Sequence, residues 1–529
     1  MAASVDQQAS QGSRDARVCL VDSDPQLSMA GLANSRLQQG YRVTLLDIDS
    51  RTRSGGGEAV HRGVTREQLR APGDLFVQLP YAARLSYLVF LFLSNRDFDV
   101  IHVPALNGVA YYSMLARYQG LALQDSLLVV QCGCTRTQQV LCDNRAVDDV
   151  ITLDELFMEQ RCLGFADHVV CEDQVVLDCL RSETQLTPER TSMLASVQSQ
   201  DTIDGETATA PQPETDWQTL YAQWLSRQPV FETVSGDTQD PLVSVCLVHF
   251  DRPQLLCHAI GSLYAQDYRN LEVILVDDGS TRQESIDYLA SLEPEFTERG
   301  WRIVRQENAY LGAARNHAAR VARGEYLLFM DDDNVATPGL VSTLVRVMQR
   351  IQVDILTCAT NVFEGDGAAP QDVGSGTHWV PLGPAVASGM FRNVFGDATA
   401  LIKKPVFDRL GGYTEDYGLG HEDWEFFARA VLEGCQLETV PVPLLFYRVR
   451  AGGMLLAGNK QASLARSLRP YLDKVPAEMR PILYMALGQE HSRQAGSTTR
   501  PSPAVLLKLL RGFAGGSGKR DMVRRFIRV

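Results

Sequence analysis

The segment Glu325-Tyr-Leu-Leu-Phe-Met330-Asp331-Asp332-Asp333-Asn334 decides the fold class of this 529-residue chain. Its apolar run is typical of a buried strand, and three consecutive carboxylates follow where the strand ends. In open α/β sheets, ligands bind in the crevice beyond the carboxyl ends of the strands. Mutual repulsion disfavours such a cluster without a cation, and oxygen ligands of this kind select Mg²⁺ or Mn²⁺. The alternative is a solvated acidic turn that caps a helix beginning near Pro338.

The residues before this segment repeat a strand and helix pattern. Val243–Val248 alternates as a strand, a helical pattern follows, and Leu271–Val276 is a second apolar strand. That strand ends in Asp277-Asp278-Gly279-Ser280, which places carboxylates at the same predicted edge. Capping of the next helix by Asp278 and Ser280 is the alternative explanation.

A third acidic motif lies farther along the chain. Gly418-Leu-Gly-His421-Glu422-Asp423-Trp424-Glu425 opens a predicted helix that runs to Gly434. Carboxylates at a helix N-terminus are favoured by the helix dipole whatever their task, so this acidic turn can be purely structural. The preceding glycines indicate a loop that approaches another group closely.

Together and in this order, these motifs resemble family 2 glycosyltransferases of the GT-A fold. The resemblance covers residues 241–455 and implies one nucleotide-sugar-binding α/β domain there. It rests on the following motifs: Val243 to Pro253, Val276 to Ser280, Asn308, Gly312-Ala-Ala-Arg315-Asn316, Gly324 to Asp333, Gly411-Gly412-Tyr413 and His421-Glu422-Asp423.

The resemblance implies a role for each acidic motif. The side chains that would hold the donor are His249, Asp251, Asp278, Arg315, Asp331 and Asp332. Asp331 and Asp333 would bind a Mn²⁺ or Mg²⁺ ion, with Asp333 as the direct ligand. Asp423 would be the catalytic base, with Glu422 as the alternative. Arg315 could equally brace a strand-end carboxylate instead of contacting the donor.

One position departs from the family pattern. Many relatives place a His near the stretch Tyr447-Arg448-Val449-Arg450, where it approaches the metal, whereas this chain has Arg450 there. The third metal ligand is therefore open. Arg448–Met454, which contains two glycines, is predicted to be a loop that closes over bound donor.

Residues 16–185 form another predicted α/β domain. Apolar strand patterns such as Val18–Val21 and Tyr41–Leu46 alternate with helical ones, which favours a doubly wound parallel sheet. The motifs Phe98-Asp-Val-Ile-His102 and Tyr111-Tyr112 resemble the N-terminal Rossmann-like half of family 4 GT-B glycosyltransferases, such as glycogen and starch synthases. The second half of a GT-B enzyme, which holds the nucleotide sugar, is absent. This half-domain is therefore predicted to be non-catalytic and to serve acceptor docking or partner contact.

Two further regions flank the GT-A-like domain. Residues 186–240 are predicted to be a linker with one amphipathic helix at Trp217–Leu225. Residues 456–529 are predicted to be a helical extension, whose last part, 501–529, carries seven Lys/Arg against Asp521. This basic tail could lie on an anionic membrane surface. It could also be a solvated helix, or one packed on its own chain or on a second copy in a homo-oligomer.

Composition and charge exclude several classes of protein. Apolar residues make up 45% and charged residues 22%, as in globular proteins. The net charge of −14 makes nucleic acid an unexpected partner. No apolar run is long enough to span a bilayer, and the polar first residues show no secretory signal. The expected location is the cytoplasm, at the inner face of the cytoplasmic membrane if the tail binds lipid.

The sequence therefore predicts a metal-dependent, inverting glycosyltransferase of the hexosyltransferase type. The expected donor is a UDP-linked sugar, and the expected acceptor is a glycan or a lipid-linked glycan of a bacterial surface polysaccharide. Two alternatives stay open: a catalytically decayed sugar-binding or scaffold protein, and a sugar nucleotidyltransferase. The nucleotidyltransferase is the weaker one, because Phe250-Asp-Arg-Pro253 offers no Gly-rich phosphate loop.

Overall fold

The fold is that of a computed structural model of the chain. The described residues are 16–23, 29–48, 60–69, 79–142, 147, 149–183, 186–193, 240–370, 377–450 and 459–494. They form two α/β units, which we call the first unit (16–193) and the second unit (240–494), and the predicted α/β class is confirmed. The predicted linker helix at 217–225 and the basic tail at 501–529 lie outside the described residues.

One parallel sheet of seven strands forms the centre of the first unit. Its strands are β1 (Arg17–Asp22), β2 (Arg42–Asp47), β3 (Thr65–Gln68), β4 (Val100–Pro104), β5 (Leu127–Cys132), β6 (His168–Cys171) and β7 (Thr191–Met193). They pair in the order β3-β2-β1-β4-β5-β6-β7, and every pair is parallel. Strands β1 and β2 lie where the sequence predicts strands, at Val18–Val21 and Tyr41–Leu46. The edge strands β3 and β7 are short and carry polar residues, so they leave no periodic pattern.

Helices cover both faces of this sheet. They are α1 (Met29–Gln38), α2 (Tyr81–Ser94), α3 (Tyr111–Tyr118), α4 (Arg136–Cys142), α5 (Val150–Phe165) and α6 (Gln174–Glu183). Successive strand residues point to opposite faces. Leu20 accordingly packs in the cluster that contains α1, and Val21 packs in the one that contains α2, α3 and α5. None of the helices in the described ranges is both long and apolar enough to cross a membrane.

The second unit is built on a mixed sheet of nine strands. They are β8 (Val243–His249), β9 (Leu271–Asp277), β10 (Arg302–Arg305), β11 (Tyr326–Asp331), β12 (Val335–Ala336), β13 (Ile355–Glu364), β14 (Thr377–Trp379), β15 (Leu401–Lys403) and β16 (Leu437–Val449). The order is β10-β9-β8-β11-β15-β13-β16-β12, with β14 paired to β13. Strand β15 is antiparallel to both of its neighbours. Arg448 and Val449, predicted to begin a loop, form the end of β16 instead.

Nine helices of the second unit lie in the described residues. They are α7 (Pro253–Tyr264), α8 (Gln283–Glu298), α9 (Tyr310–Val321), α10 (Leu340–Ile351), α11 (Val386–Gly389), α12 (Lys404–Arg409), α13 (Glu422–Leu432), α14 (Lys460–Lys474) and α15 (Arg480–Gln494). Helix α13 begins at the predicted acidic turn. Helices α14 and α15 belong to the predicted helical extension.

The register of three parallel strands sets the position of the acidic motifs. Strand β8 pairs with β9 on one side, with His249 opposite Asp277, and with β11 on the other, with Val248 opposite Asp331. Parallel strands end at the same edge of a sheet, where ligands bind in open α/β folds. The two predicted acidic strand ends therefore lie side by side.

The two units share a continuous hydrophobic core, which runs from α2, α3 and α5 of the first unit to β13, α12 and α13 of the second. Hydrogen bonds cross the same boundary. The Tyr111 hydroxyl donates to the Leu382 carbonyl at 2.5 Å, and Gln119 Nε2 donates to the Thr439 carbonyl at 2.7 Å. The first unit is therefore packed directly on the side of the second unit that carries β14 and β16.

Candidate active site

The three consecutive carboxylates at the end of β11 lie in two different environments. The side chain of Asp332 is 0% exposed, whereas those of Asp331 and Asp333 keep 23% and 21% of their surface exposed. Asp331 is the last residue of β11 and the chain turns at Asp332 and Asp333, which separates the middle carboxylate from the outer two. Asp331 and Asp333 therefore face the accessible side, as their predicted contact with an ion requires.

Asp332 is held from behind by His249. The His249 Nδ1 lies 2.7 Å from Asp332 Oδ2, and both side chains are fully buried. Because the carboxylate accepts, we assign the proton to Nδ1. Among the described residues, His249 Nε2 finds no hydrogen-bond partner. Both side chains lie behind the two accessible carboxylates, and their contact with the donor stays a prediction.

Arg252 is a site residue that the sequence analysis missed. Its Nη2 donates to Asp332, and its Nη1 donates to Asp333 Oδ2 at 2.9 Å. It lies at the N-terminus of α7, three residues after the end of β8. The guanidinium thus supplies positive charge to the acidic cluster, a role that the sequence analysis gave to a metal ion alone.

Asp251 fastens two loops together. Its backbone is left-handed, with φ of 51°, and its carboxylate accepts from the Thr281 N–H and hydroxyl at 2.9 Å and from the Arg282 N–H at 2.8 Å. Burial acts to raise the pKa of Asp251, but these hydrogen bonds outweigh it and leave the pKa below its usual value. Both carboxylate oxygens are engaged by the loop after β9. Direct contact with the donor, which the resemblance implies, stays a prediction.

Asp278 is buried beneath the start of α9. Its Oδ1 accepts from Gln306 Nε2 at 2.7 Å and from the Ala309 N–H at 2.9 Å, and its own N–H donates to the His249 carbonyl. The chain comes close here, since a Cβ on Gly279 (φ +77°) would lie 2.7 Å from the Asn308 nitrogen. Asp278 therefore does not cap the helix that follows it, which was the alternative explanation.

Arg315 joins the two acidic motifs. Its guanidinium is buried, and it donates to Asp331 Oδ1 and to Glu422 Oε1, both at 2.6 Å. Arg466 adds a second positive charge 3.8 Å from the other oxygen of Glu422. Of the two roles considered for Arg315, its contacts match the bracing of a strand-end carboxylate. Glu422 is likewise engaged by guanidinium groups.

Asp423 is the partly exposed carboxyl of the third motif. His421 adopts a left-handed backbone with φ of 63°, which turns the chain into α13, and the Trp424 N–H donates to Asp423 Oδ1 at 2.7 Å. Burial, together with the charges of Glu422 and Asp397, raises the pKa of Asp423 to about 8 against the opposing effect of Arg315. A carboxyl of this kind can hold and release a proton near neutral pH.

Asp397 completes the cluster and was also missed. It is buried and accepts from the Thr399 N–H at 2.9 Å. Burial raises its pKa, and the charge of Asp331 adds to that shift. Only a Gly-Asp pair ahead of β15 marks it in the sequence, so no local signal could have found it.

The charge balance of the cluster fits a bound cation. Six carboxylates stand against three guanidinium groups: Asp331, Asp332, Asp333, Asp397, Glu422 and Asp423 against Arg252, Arg315 and Arg466. Burial raises the pKa of Asp333 to about 7 despite Arg252. Within the described ranges, no three His, Cys, Asp or Glu side chains are grouped so as to hold an ion by themselves. The site therefore fits an ion held by one or two carboxylates, with donor phosphates and water completing its shell.

Two arginines lie at and just after the end of β16, and both are engaged by neighbouring groups. Arg450 pairs with Asp366 at 2.6 Å. Arg448 is buried, and it donates to the backbone carbonyls of Asp333, Gly365 and Gly367 at 2.7 to 2.9 Å. Arg448 thus fixes the backbone behind Asp333.

Comparison with known proteins finds a family likeness in part of the second unit. Residues 244–379 match the model of Glycosyl transferase family 2. The O-antigen biosynthesis protein RfbC of Myxococcus xanthus is 30% identical over 231 residues, which is 41% of this chain and 17% of RfbC. The putative colanic acid biosynthesis glycosyl transferase WcaA of Escherichia coli (strain K12) is 37% identical over 114 residues, which is 21% of this chain and 39% of WcaA. This chain therefore spans less than half the length of either relative.

Solved structures give a weaker likeness. The mannosyltransferase PcManGT from Pyrobaculum calidifontis, in complex with GDP-Man and Mn²⁺, is 19% identical with a TM-score of 0.36. That match covers 59% of this chain and 91% of PcManGT.

Proposed function

From the match of residues 244–379 to the model of Glycosyl transferase family 2, we propose that this chain moves a sugar from a nucleotide-sugar donor to a glycan acceptor with inversion. The observation that carries the proposal is the link from Asp423 to the strand-end carboxylates. Glu422, Arg315 and Asp331 connect the two through hydrogen bonds of 2.6 Å. A proton acceptor and a donor-binding edge are thus held in fixed relation to each other.

The proposed step is a single displacement. The acceptor hydroxyl oxygen bonds to the anomeric carbon, the bond from that carbon to the diphosphate breaks, and its electron pair stays on the phosphate oxygen. The hydroxyl proton passes to Asp423. When bound at Asp331 and Asp333, a Mn²⁺ or Mg²⁺ ion supplies positive charge for the leaving diphosphate. Arg315 keeps Asp331 and Glu422 in place during the step, and Arg252 does so for Asp332 and Asp333.

We propose a surface polysaccharide as the acceptor. RfbC and WcaA carry names that refer to O-antigen and colanic acid biosynthesis, both of them glycan assembly. A UDP-linked donor and a hexosyl group stay proposals that rest on the family resemblance alone.

A direct assay tests the proposed function. The full chain is incubated with Mn²⁺ and a panel of nucleotide sugars, with and without oligosaccharide acceptors, and release of nucleoside diphosphate is measured. Acceptor-dependent release from one donor is the expected result. If no donor gives release above that of the Asp423→Asn variant, glycosyl transfer is refuted.

Removal of divalent ions should abolish turnover. Asp333→Ala should be inactive for the same reason, because the leaving diphosphate would lose its main charge partner. Turnover is measured with EDTA and again after Mn²⁺ is restored, which should rescue the wild type and leave the variant inactive. Asp408→Ala serves as the control, since Asp408 is an exposed carboxylate that pairs with Lys404 on α12. Full activity in EDTA would remove the metal from the mechanism.

The rate should rise with pH up to about 8. Asp423 accepts a proton only when ionised, and its pKa is about 8, so kcat/KM should fall about tenfold per pH unit below that value and level off above it. The profile is measured between about pH 6 and 9 for the wild type and Asp423→Asn. Asp333 is unchanged in both proteins, so the limb near 8 must disappear in the variant alone. A limb that persists in Asp423→Asn would assign it to another group.

The basic tail provides a test of location. If residues 501–529 lie on anionic lipid, the full chain should co-sediment with phosphatidylglycerol vesicles, each Lys or Arg near the surface adding up to ~1 kcal/mol. A chain ended at Thr499 should stay in the supernatant. Neutral phosphatidylcholine vesicles are the control. If both chains co-sediment with the vesicles, or if neither does, the membrane role is refuted and the tail is a structural or oligomer contact.

A further inference from the structure

Residues 380–397, which we call the bridge segment, lie between the first unit and the helix that carries Asp423. The segment connects β14 to β15 and contains the single-turn helix α11. Most of its backbone is neither helix nor strand. Buried carbonyls of such backbone need donors from elsewhere, because no regular ladder supplies them.

The first unit provides those donors from α3. The Tyr111 hydroxyl donates to the Leu382 carbonyl at 2.5 Å, and the Tyr112 hydroxyl donates to the Pro381 carbonyl at 3.1 Å. Both tyrosines are fully buried. Burial raises the pKa of both hydroxyls, so they remain protonated donors.

An ion pair adds a second tie to the first unit. Arg392 of the bridge segment donates to Asp154 Oδ2 of α5 at 2.5 Å, and the Asp154 side chain is fully buried. A buried charge that loses its partner is strongly destabilising. This pair therefore fixes the position of Arg392 relative to the first unit.

On its other side, the bridge segment holds the catalytic helix. Trp424 Nε1 donates to the Gly389 carbonyl at 2.6 Å, and the same residue's backbone N–H donates to Asp423 at 2.7 Å. Packing inside the segment is tight, because a Cβ on Gly389 would lie 2.4 Å from the Phe395 ring. A shift of the segment would therefore be passed to Trp424 and to the carboxyl beside it.

We propose that the first unit is a built-in positioning element of the transfer site. None of its described residues belongs to the carboxylate cluster of the candidate site. Tyr111, Tyr112 and Asp154 hold the bridge segment, and the bridge segment holds Trp424 and so sets where Asp423 stands. This inference rests on the proposed function for its effect on rate, but the contacts that carry it are independent of any substrate.

Full-length protein with Tyr111→Phe and Tyr112→Phe tests this role. These changes keep the rings that fill the core and remove the two hydroxyl donors. Small displacements of reacting groups are costly, so kcat should fall on the order of 10- to 100-fold. The affinity for nucleoside diphosphate, measured by calorimetry, should stay within about twofold, because the donor edge at Asp331 and Asp333 is untouched.

Arg350→Ala is the matched control. Arg350 also crosses the boundary between the units, donating to Gln124 Oε1 at 2.9 Å, but it lies on α10 and not in the bridge segment. It should leave kcat within about twofold. If the double variant and the control lose kcat equally, or if the double variant loses kcat and diphosphate affinity together, the fall reflects general destabilisation and the proposal is overturned.

Hydrogen–deuterium exchange gives a readout that needs no turnover. The double variant should exchange faster than the wild type at residues 380–397 and at the start of α13, with β8 and β9 unchanged. Wild-type exchange at both places would overturn the proposal even if the rate fell. If the wild type transfers no sugar at all, the proposed function fails, and the exchange measurement still decides the structural claim. Each single Tyr→Phe variant is measured in the same way if the double variant loses its melting transition.

Discussion

Asp423→Asn should lower turnover by ~100-fold or more while donor affinity survives. The amide keeps the shape of the carboxyl and can still accept the Trp424 N–H, but it cannot take a proton from the acceptor. Nucleoside diphosphate release gives the rate, and calorimetry with nucleoside diphosphate gives the affinity.

The control for this variant lies beyond the far end of the same helix. Glu433→Gln removes an exposed carboxylate that pairs with Lys474 and should leave turnover unchanged. An unchanged rate in Asp423→Asn would move the base elsewhere, with Glu422 next to test. A product that keeps the donor's anomeric configuration would overturn single displacement itself.

The same variant should be more stable than the wild type at neutral and higher pH. The folded pKa of Asp423, about 8, lies above its unfolded value of about 3.9. The unfolded state therefore binds fewer protons than the folded one between these values, and stability falls as pH rises through that window. The Asp423→Asn variant does not lose stability in this way, because asparagine does not titrate. Tm at pH 8 should rise by about 1 °C for each kcal/mol recovered, because the unfolding entropy of a chain this long is about 1 kcal/mol/K, and the gain should vanish near pH 4.

Arg315→Met should be the most destabilising of the substitutions considered. It leaves Asp331 and Glu422 without the guanidinium that both contact at 2.6 Å, and breaking a buried ion pair in this way costs about 3–5 kcal/mol. The loss should be smaller at low pH, because the abandoned carboxylates can then be protonated. Urea unfolding at about pH 5 and pH 8 measures both effects.

Arg320→Met on the same helix is the matched control for Arg315. Its side chain is 63% exposed and lies 3.9 Å from Glu415. A change of this kind usually alters stability by no more than about 0.5 kcal/mol. Equal losses in the two variants would mean that the guanidinium of Arg315 does not act as the described bridge.

The edge of the second sheet that carries Asp278 and Asp331 could be predicted, because its signals are local. Strands β9 and β11 each combine an apolar run with acidic residues directly after it, and parallel pairing brings Asp278 and Asp331 to one edge without further information. The acidic start of α13 is equally local. Strand β16 was harder to predict from the sequence, because two prolines interrupt its apolar pattern and Arg448 resembles a loop residue.

The partners of those carboxylates could not be predicted. Arg252 reaches Asp332 across 80 residues, and Arg315 reaches Glu422 across 107. No periodicity in the sequence relates such positions. The inward position of Asp332 results from the turn that follows β11, and the sequence alone does not say which of the three carboxylates such a turn buries. Tyr111 donates a hydrogen bond to a residue 271 positions away, so the sequence did not indicate the positioning role that we propose for the first unit.

The shared core also determines which part of this chain can be transferred into a chimera. A chimera that joined the second unit to a foreign Rossmann-like domain would leave Val380 and Leu382 facing water, at a cost of about 1.5–3 kcal/mol for each buried side chain that becomes exposed. Arg392 of the chimera would lose the carboxylate of Asp154 with which it pairs. Such a hybrid would aggregate through the uncovered face unless the new domain presented two hydroxyl donors and a carboxylate at the same places. The pair of units, and not either one alone, is therefore the smallest piece that can be transplanted intact.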